Sequence, residues 1–126
     1  MTEVGVVLRL DETPCYWHQP PERTTASLPD SRPLWDVIWA QRYDLSGIAH
    51  SHPGGGVPGP SHEDLTTFAA VEAALGVRLL WWIVSQERTV VIHWAGDQRY
   101  ESETVVNEPD WVAELRRLSY TEDDHG

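Results

Sequence analysis

The order of apolar and polar positions sets out strands and helices in alternation. Val4 to Leu10 is short, apolar and β-branched, and predicts a first strand. Asp11-Glu12-Thr13 supply turn residues, and Cys15-Tyr16-Trp17-His18 predict the returning strand of a hairpin. Gln19 to Pro33 holds four prolines among Ser, Thr, Asp and Arg and reads as a loop, long enough to carry a function of its own. Asp30 or Ser31 can cap the next helix, with Pro33 in its first turn. From Leu34 to about Tyr43, Trp35, Ile38 and Trp39 fall at helical spacing, which predicts a buried stripe. Leu45 to His52 is strand-like. Side chains alternate along a strand, so Ile48, His50 and His52 share one face and Ser51 takes the other. Pro53 has no N–H to donate and ends the ladder.

The second half continues the alternation. Ser61 is an N-cap with Asp64 three residues on, in the pattern of a capping box. Leu65, Phe68, Ala69, Val71, Glu72 and Leu75 carry a helix that stops at Gly76. Leu79 to Val84 and Val90 to Trp94 predict a hairpin turning at Ser85-Gln86-Glu87-Arg88, with Trp81 and Trp82 on opposite sides of the sheet. Tyr100 to Val106 predicts one more strand. Asp110 to Leu118 predicts a last helix with Trp111, Leu115 and Leu118 on one stripe. Residues 121–126 read as an acidic tail, so the domain is placed at residues 1–120.

Composition narrows the class. A chain of 126 residues suits one domain, and its 40% apolar content is enough for a packed core rich in tryptophan. Twenty acidic against nine basic residues give a formal charge of −11, which repels phosphate backbones and makes nucleic acid a poor partner. A basic partner segment would be drawn in. Cys15 is alone, which excludes an internal disulfide and any multi-cysteine metal site and suits a reducing compartment. No apolar run reaches the roughly 18 residues of a membrane span, and the start of the chain has no signal-peptide pattern, so a cytoplasmic protein is expected.

The chemistry concentrates between His50 and Asp64. Zinc in a hydrolytic site takes three protein ligands, commonly His and carboxylate, and keeps a fourth position open. His50 and His52 offer two imidazoles from one strand face, and the Gly/Pro-rich turn can bring Asp64 back toward them. Two neutral imidazoles and one carboxylate leave a bound divalent ion with net positive charge, enough to lower the pKa of water toward ~7. A nearby carboxylate must still move the proton, and Ser61 is placed to stabilise a developing oxyanion. His-x-His alone is common in strands, and Ser-x-x-Asp alone is usually a cap. The two joined by a Gly/Pro turn are more specific.

These residues resemble a known family. His50-Ser51-His52-Pro53 followed by Ser61-x-x-Asp64 is similar to the JAMM motif of the MPN/JAB metalloproteases, and the small prokaryotic JAB domains look closest. The family usually has seven residues between the second His and the Ser, whereas Pro53 to Pro60 makes eight here. Pro60-Ser61-x-Glu63-Asp64 also resembles the RadC branch, which usually has Asn where Ser51 stands. The family adds an upstream Glu on an early strand, and Glu3-Val4-Gly5-Val6-Val7-Leu8 looks like that segment. The resemblance implies a single α/β (α+β) domain with a mixed, curved sheet flanked by helices. It implies one zinc ion held by His50, His52 and Asp64, with Glu3 as general base and Ser61 as oxyanion stabiliser. Glu12 and Glu22 are fallback bases in turn and loop sequence.

Other candidates rank lower. His62 reads as a solvent-facing helix residue, His93 as a strand histidine, and His18 as at most a pocket residue. Cys15 could line the site but has no adjacent base. The leading expectation is a zinc-dependent peptidase or isopeptidase acting on the C-terminal tail of a ubiquitin-like or sulfur-carrier-like protein. Such a tail is extended and often carries Arg, and the Gln19–Pro33 loop is the segment available to recognise it. The competing classes are a metal-free MPN-type binding module, a RadC-like role beside DNA, and a phage-tail or cell-wall peptidase.

Overall fold

The computed structural model describes residues 1–53 and 58–120, so most of the glycine-rich turn and the acidic tail at 121–126 lie outside the described residues. The first hairpin forms as its pattern predicts, with β1 (Gly5–Arg9) antiparallel to β2 (Pro14–His18). Asp11 makes the turn between them by accepting the N–H of Thr13 at 3.0 Å, the local bond that suits Asp to turns. The long loop leads into α1 (Arg32–Ala40), capped by Ser31 with Pro33 in its first turn. Then come β3 (Leu45–Ser51), α2 (His62–Leu75), β4 (Leu80–Val84), β5 (Thr89–Gly96), β6 (Arg99–Thr104) and α3 (Asp110–Tyr120). Gly76 ends α2 at φ 72°, the left-handed cap that glycine adopts without a Cβ penalty.

The six strands make one mixed sheet in the order β2-β1-β3-β4-β5-β6. The β3–β4 pair is parallel, with α2 as its crossover, and the other neighbours are antiparallel. Helices cover both faces, as expected of an α/β domain. On one face Val7, Ile38, Phe68, Val71, Trp81 and Ile92 bury together under α1 and α2. On the other, Val6, Leu8, Ala49, Trp82 and Val84 pack against Trp111, Val112 and Leu115 of α3. The Trp81-Trp82 pair is therefore divided as the alternation requires. Trp81 stacks on Phe68 at 4.3 Å between ring centres, and Trp82 meets the edge of Trp111 at 5.2 Å.

The expected buried tryptophan stripe on the first helix is a correction. Ile38 is buried, but Trp35 and Trp39 are 38% and 56% exposed. Leu34 and Ile38, four residues apart, form the inward row. Trp35 and Trp39 are also four apart and lie one residue, about 100°, further round the helix. Helical spacing marks both rows and does not say which of them meets the sheet. The helix also ends at Ala40, short of the expected Tyr43, and Arg42 lies over the exposed rings of Trp39 and Tyr43 at 4.0 and 4.6 Å.

Candidate metal centre

β3 delivers the two histidines. His50 lies on the strand, and His52 follows its last residue, still held by an N–H bond to the Val84 carbonyl at 2.9 Å. Alternation puts both rings on the α1/α2 face, where their Nε2 atoms stand 2.9 Å apart. Asp64 reaches the same point from the first turn of α2. Its Oδ1 is 3.7 Å from His50 Nε2 and its Oδ2 is 3.5 Å from His52 Nε2. One ligand atom from each of the three residues lies within 4.8 Å of the others, so the group could hold a metal ion.

Two imidazoles and a carboxylate are donors of the kind that hold zinc. Ligand bonds of 2.0–2.1 Å around a tetrahedral ion set neighbouring ligand atoms about 3.3 Å apart. The two Nε2 atoms are 2.9 Å apart, each histidine has a different Asp64 oxygen within 3.7 Å, and one donor atom from each residue lies within 4.8 Å of the others. The capping box orients the carboxylate. Ser61 Oγ accepts the Asp64 N–H at 3.0 Å, and Asp64 Oδ2 accepts the Ser61 N–H at 2.9 Å. A ligand carboxylate held by its own hydrogen bond is the usual outer-shell arrangement of metal sites. An oxygen that accepts still carries a proton to donate, so Ser61 keeps that capacity at the rim of the cleft.

Glu3 joins the group through sheet register. β1 and β3 are antiparallel with Gly5 opposite His50, and extending that pairing by two residues sets Glu3 opposite His52. Glu3 is 9% exposed and lines the same cleft. Burial pushes its carboxyl up to about 7, with the charge of His52 opposing the rise and that of Asp64 adding to it. The contact with Asp64 raises His52 above its ordinary value, against the effect of burial. Burial by itself would raise Asp64, yet the contacts from His50 and His52 hold its carboxyl far below the usual carboxylate range. An ionised Asp beside a readily protonated Glu is the division of labour that hydrolytic sites need.

The cleft is about 550 Å³ and runs from the histidines over Gly5 and Ile48 between α1 and α2. Gly5 leaves its floor open: a Cβ there would meet Leu28 Cδ2 at 3.3 Å and His18 Cβ at 3.4 Å. Thr25 to Leu28 and Asp30, from the long loop, form one wall. The same loop holds the start of the chain, since the Glu3 N–H donates to the Thr24 carbonyl at 2.9 Å. His18 is a buried cleft residue whose Nε2 lies 2.6 Å from the Pro29 carbonyl oxygen. A carbonyl only accepts, so that nitrogen carries the proton.

The fallback bases separate from the site. Glu12 sits exposed in the β1–β2 turn and Glu22 lies exposed in the loop, and neither lines the cleft. Cys15 does not line it either; it packs against the core, and burial raises its thiol, which makes it a weak nucleophile. His62 is exposed, as expected, and His93 is half-buried on β5. Sequence reasoning missed two buried serines behind the site. Ser51 Oγ accepts the Val4 N–H at 2.9 Å and lies 2.9 Å from Ser119 Oγ on α3. The helix was expected to stop at Leu118, one residue before the second serine.

The family model for prokaryotic homologs of the JAB domain matches residues 3–114. The chain belongs to this family. The match to the JAB domain begins at Glu3 and runs into α3, so it takes in the whole sheet, all three ligand candidates and the cleft. No curated protein matches the chain. No helix among the described residues is long and apolar enough to cross a membrane.

Proposed function

We propose that this JAB domain is a zinc-dependent peptidase or isopeptidase that hydrolyses an amide bond at the C-terminal tail of a ubiquitin-like or sulfur-carrier-like protein. The observation that carries the reading is convergence: two imidazoles and a carboxylate from β3 and α2 meet at one end of a cleft, beside a buried Glu3. His50, His52 and Asp64 would hold one ion. When bound, a divalent cation supplies Lewis acidity and makes water acidic enough to attack near neutral pH.

The remaining roles fall to the chain itself. Glu3 takes a proton from the attacking water and returns it to the nitrogen of the breaking C–N bond, so the amine leaves neutral and the carboxylate is restored. Support comes from its place in the cleft beside the three ligand candidates, where burial favours the uptake of a proton. Ser61 donates to the oxygen that gains charge as the carbonyl is attacked. Its capping bond to Asp64 fixes that oxygen at the rim of the cleft.

The cleft supports an extended protein tail as substrate. Leu28, Leu34, Trp35 and Ile38 offer it apolar walls, Asp30 and Glu63 add negative charge, and no Arg or Lys lines it among the described residues. Together with the −11 charge this favours a tail carrying Arg over a nucleic acid, and the lone cysteine suits a cytoplasmic setting. Fusions bearing ubiquitin-like or sulfur-carrier-like tails, incubated with the zinc-loaded chain, should be cut at the tail. Cleavage of cell-wall peptides with no cleavage of any such tail would overturn the substrate reading.

A further inference from the structure

Glu3 lies before the first residue of β1, so the sheet ladder alone does not fix its carboxylate. Two peptide groups flank it, one presenting the Thr2 carbonyl and the other the Val4 N–H. Both are tied down on the α3 side of the sheet, opposite the metal centre. The Val4 N–H donates to Ser51 Oγ at 2.9 Å, Ser51 Oγ and Ser119 Oγ are 2.9 Å apart, and Ser119 Oγ donates to the Thr2 carbonyl at 2.6 Å. A hydroxyl has one proton to give. Ser119 gives its proton to Thr2, so the bond between the serines is donated by Ser51. The oxygen of Ser51 is then left to accept from Val4. Every proton in the chain has one direction: Val4 N–H to Ser51, Ser51 to Ser119, Ser119 to the Thr2 carbonyl. Two main-chain bonds run alongside, Thr2 N–H to the Ser119 carbonyl at 3.0 Å and Ser51 N–H to the Val4 carbonyl at 2.9 Å.

We propose that Ser51 and Ser119 are positioning residues for Glu3: their hydroxyl chain grips the peptide groups on both sides of it from behind the sheet and so aims its carboxylate at the metal centre. The proposal rests on the reading of Glu3 as the proton carrier. Both serines are fully buried, where an unpaired hydroxyl is costly, and both have their bonds made. Ser51 stands between the two histidines and faces the other way, so one stretch of β3 presents the ligands on one side and anchors the base from the other. This contact ties the last helix to the first residues of the chain, and one residue on the Tyr120 hydroxyl lies 3.4 Å from the His52 carbonyl oxygen.

The test is Ser119→Ala in the full chain, because this residue touches none of the ligand candidates and loses only one oxygen. The variant should bind zinc as the wild type does. Exchange of the Val4 amide should quicken at least about tenfold, because its acceptor loses the bond that orders it. The carboxyl carbon resonance of Glu3 should move or broaden. On a cleavable tail fusion, kcat should fall at least about tenfold with KM within about twofold, the pattern of a lost transition-state alignment. Ser51→Ala breaks the same chain at its other link and should reproduce the Val4 and Glu3 changes. Val91→Ala, which loosens packing on the same face of the sheet without touching either serine, should leave the Glu3 resonance in place. A Ser119→Ala chain with wild-type Val4 exchange and an unmoved Glu3 resonance would overturn the proposal. So would a loosened Val4 with kcat unchanged. If the wild-type chain cuts no substrate, the reading of function fails, and the Val4 and Glu3 signals still decide whether the serines order Glu3.

Discussion

Glu3 and Glu72 are both buried glutamates, and they sit at opposite ends of the face covered by α2. Glu72, near the end of that helix, accepts the Leu79 N–H at 2.9 Å, the Trp81 indole N–H at 3.0 Å, the Tyr100 hydroxyl and the Arg78 guanidinium at 3.0 Å. Glu3 has no hydrogen-bond donor on its carboxylate among the described residues, and its charged neighbours are His52 and Asp64. A buried charge with a full set of donors is a structural clamp. A buried carboxyl without them is held where it can change protonation state. The difference separates the part of the molecule that holds the fold from the part that does chemistry.

The largest expected effect is at Glu3. Glu3→Gln keeps the shape and removes the proton acceptor, so cleavage should fall about 100- to 10,000-fold while zinc stoichiometry stays at that of the wild type. Rate measured beside metal content checks it, and a variant that cuts normally would take the base role away from Glu3. Glu72→Ala should do the reverse. It strands the buried N–H groups of Leu79 and Trp81 and should cost about 3 kcal/mol of stability, with zinc content unchanged, as denaturant titration would report.

A smaller effect separates the two carboxylates by pH. Glu3 has a raised folded-state value, about 7 against 4.5 for an ordinary glutamate, so the native state holds a proton that the unfolded state has released. Between those values the unfolded chain binds fewer protons, and stability falls as pH rises. The metal-free wild type should therefore lose ground to metal-free Glu3→Gln between about pH 4.5 and 7. His52, also raised, adds stability below its unfolded value that is lost as pH rises, whereas Asp64, lowered, adds stability that is lost only in acid. The Glu3 charge is one of the causes that raise His52, so the difference between the two proteins reports Glu3 together with its coupling to His52. Unfolding midpoints of the pair at pH 5 and pH 7.5 would measure it.

The smallest effect concerns the two aromatic rows. Trp39→Ala should cost under about 1 kcal/mol, because its ring is 56% exposed. Trp81→Ala should cost about 3–5 kcal/mol, because that ring fills the core against Phe68. Equal losses would mean that α1 packs the way its periodicity first suggests.

These residues also show what a sequence can and cannot carry. His50, His52, Ser61 and Asp64 were legible because strand alternation and a capping box are local rules, and Glu3 was legible through its resemblance to a family segment. The register that puts Glu3 opposite His52 is a long-range fact, and no local rule contains it. The Ser51–Ser119 pair was invisible for the same reason, since 68 residues separate its members. Glu72 read as one polar residue in a helical stripe, because its donors come from three later segments. The exposed row of Trp35 and Trp39 was misread because periodicity gives the spacing of a stripe and leaves its direction to packing.

Everything proposed for the site depends on one ion at His50, His52 and Asp64, and zinc titration into the metal-free chain tests this most directly. The wild type should saturate at one zinc per chain and gain stability, by about 2.7 kcal/mol at a hundredfold excess over Kd. His50→Ala should abolish the binding. A folded wild-type chain that takes up no zinc, or a His50→Ala chain that binds as tightly as the wild type, would contradict the account.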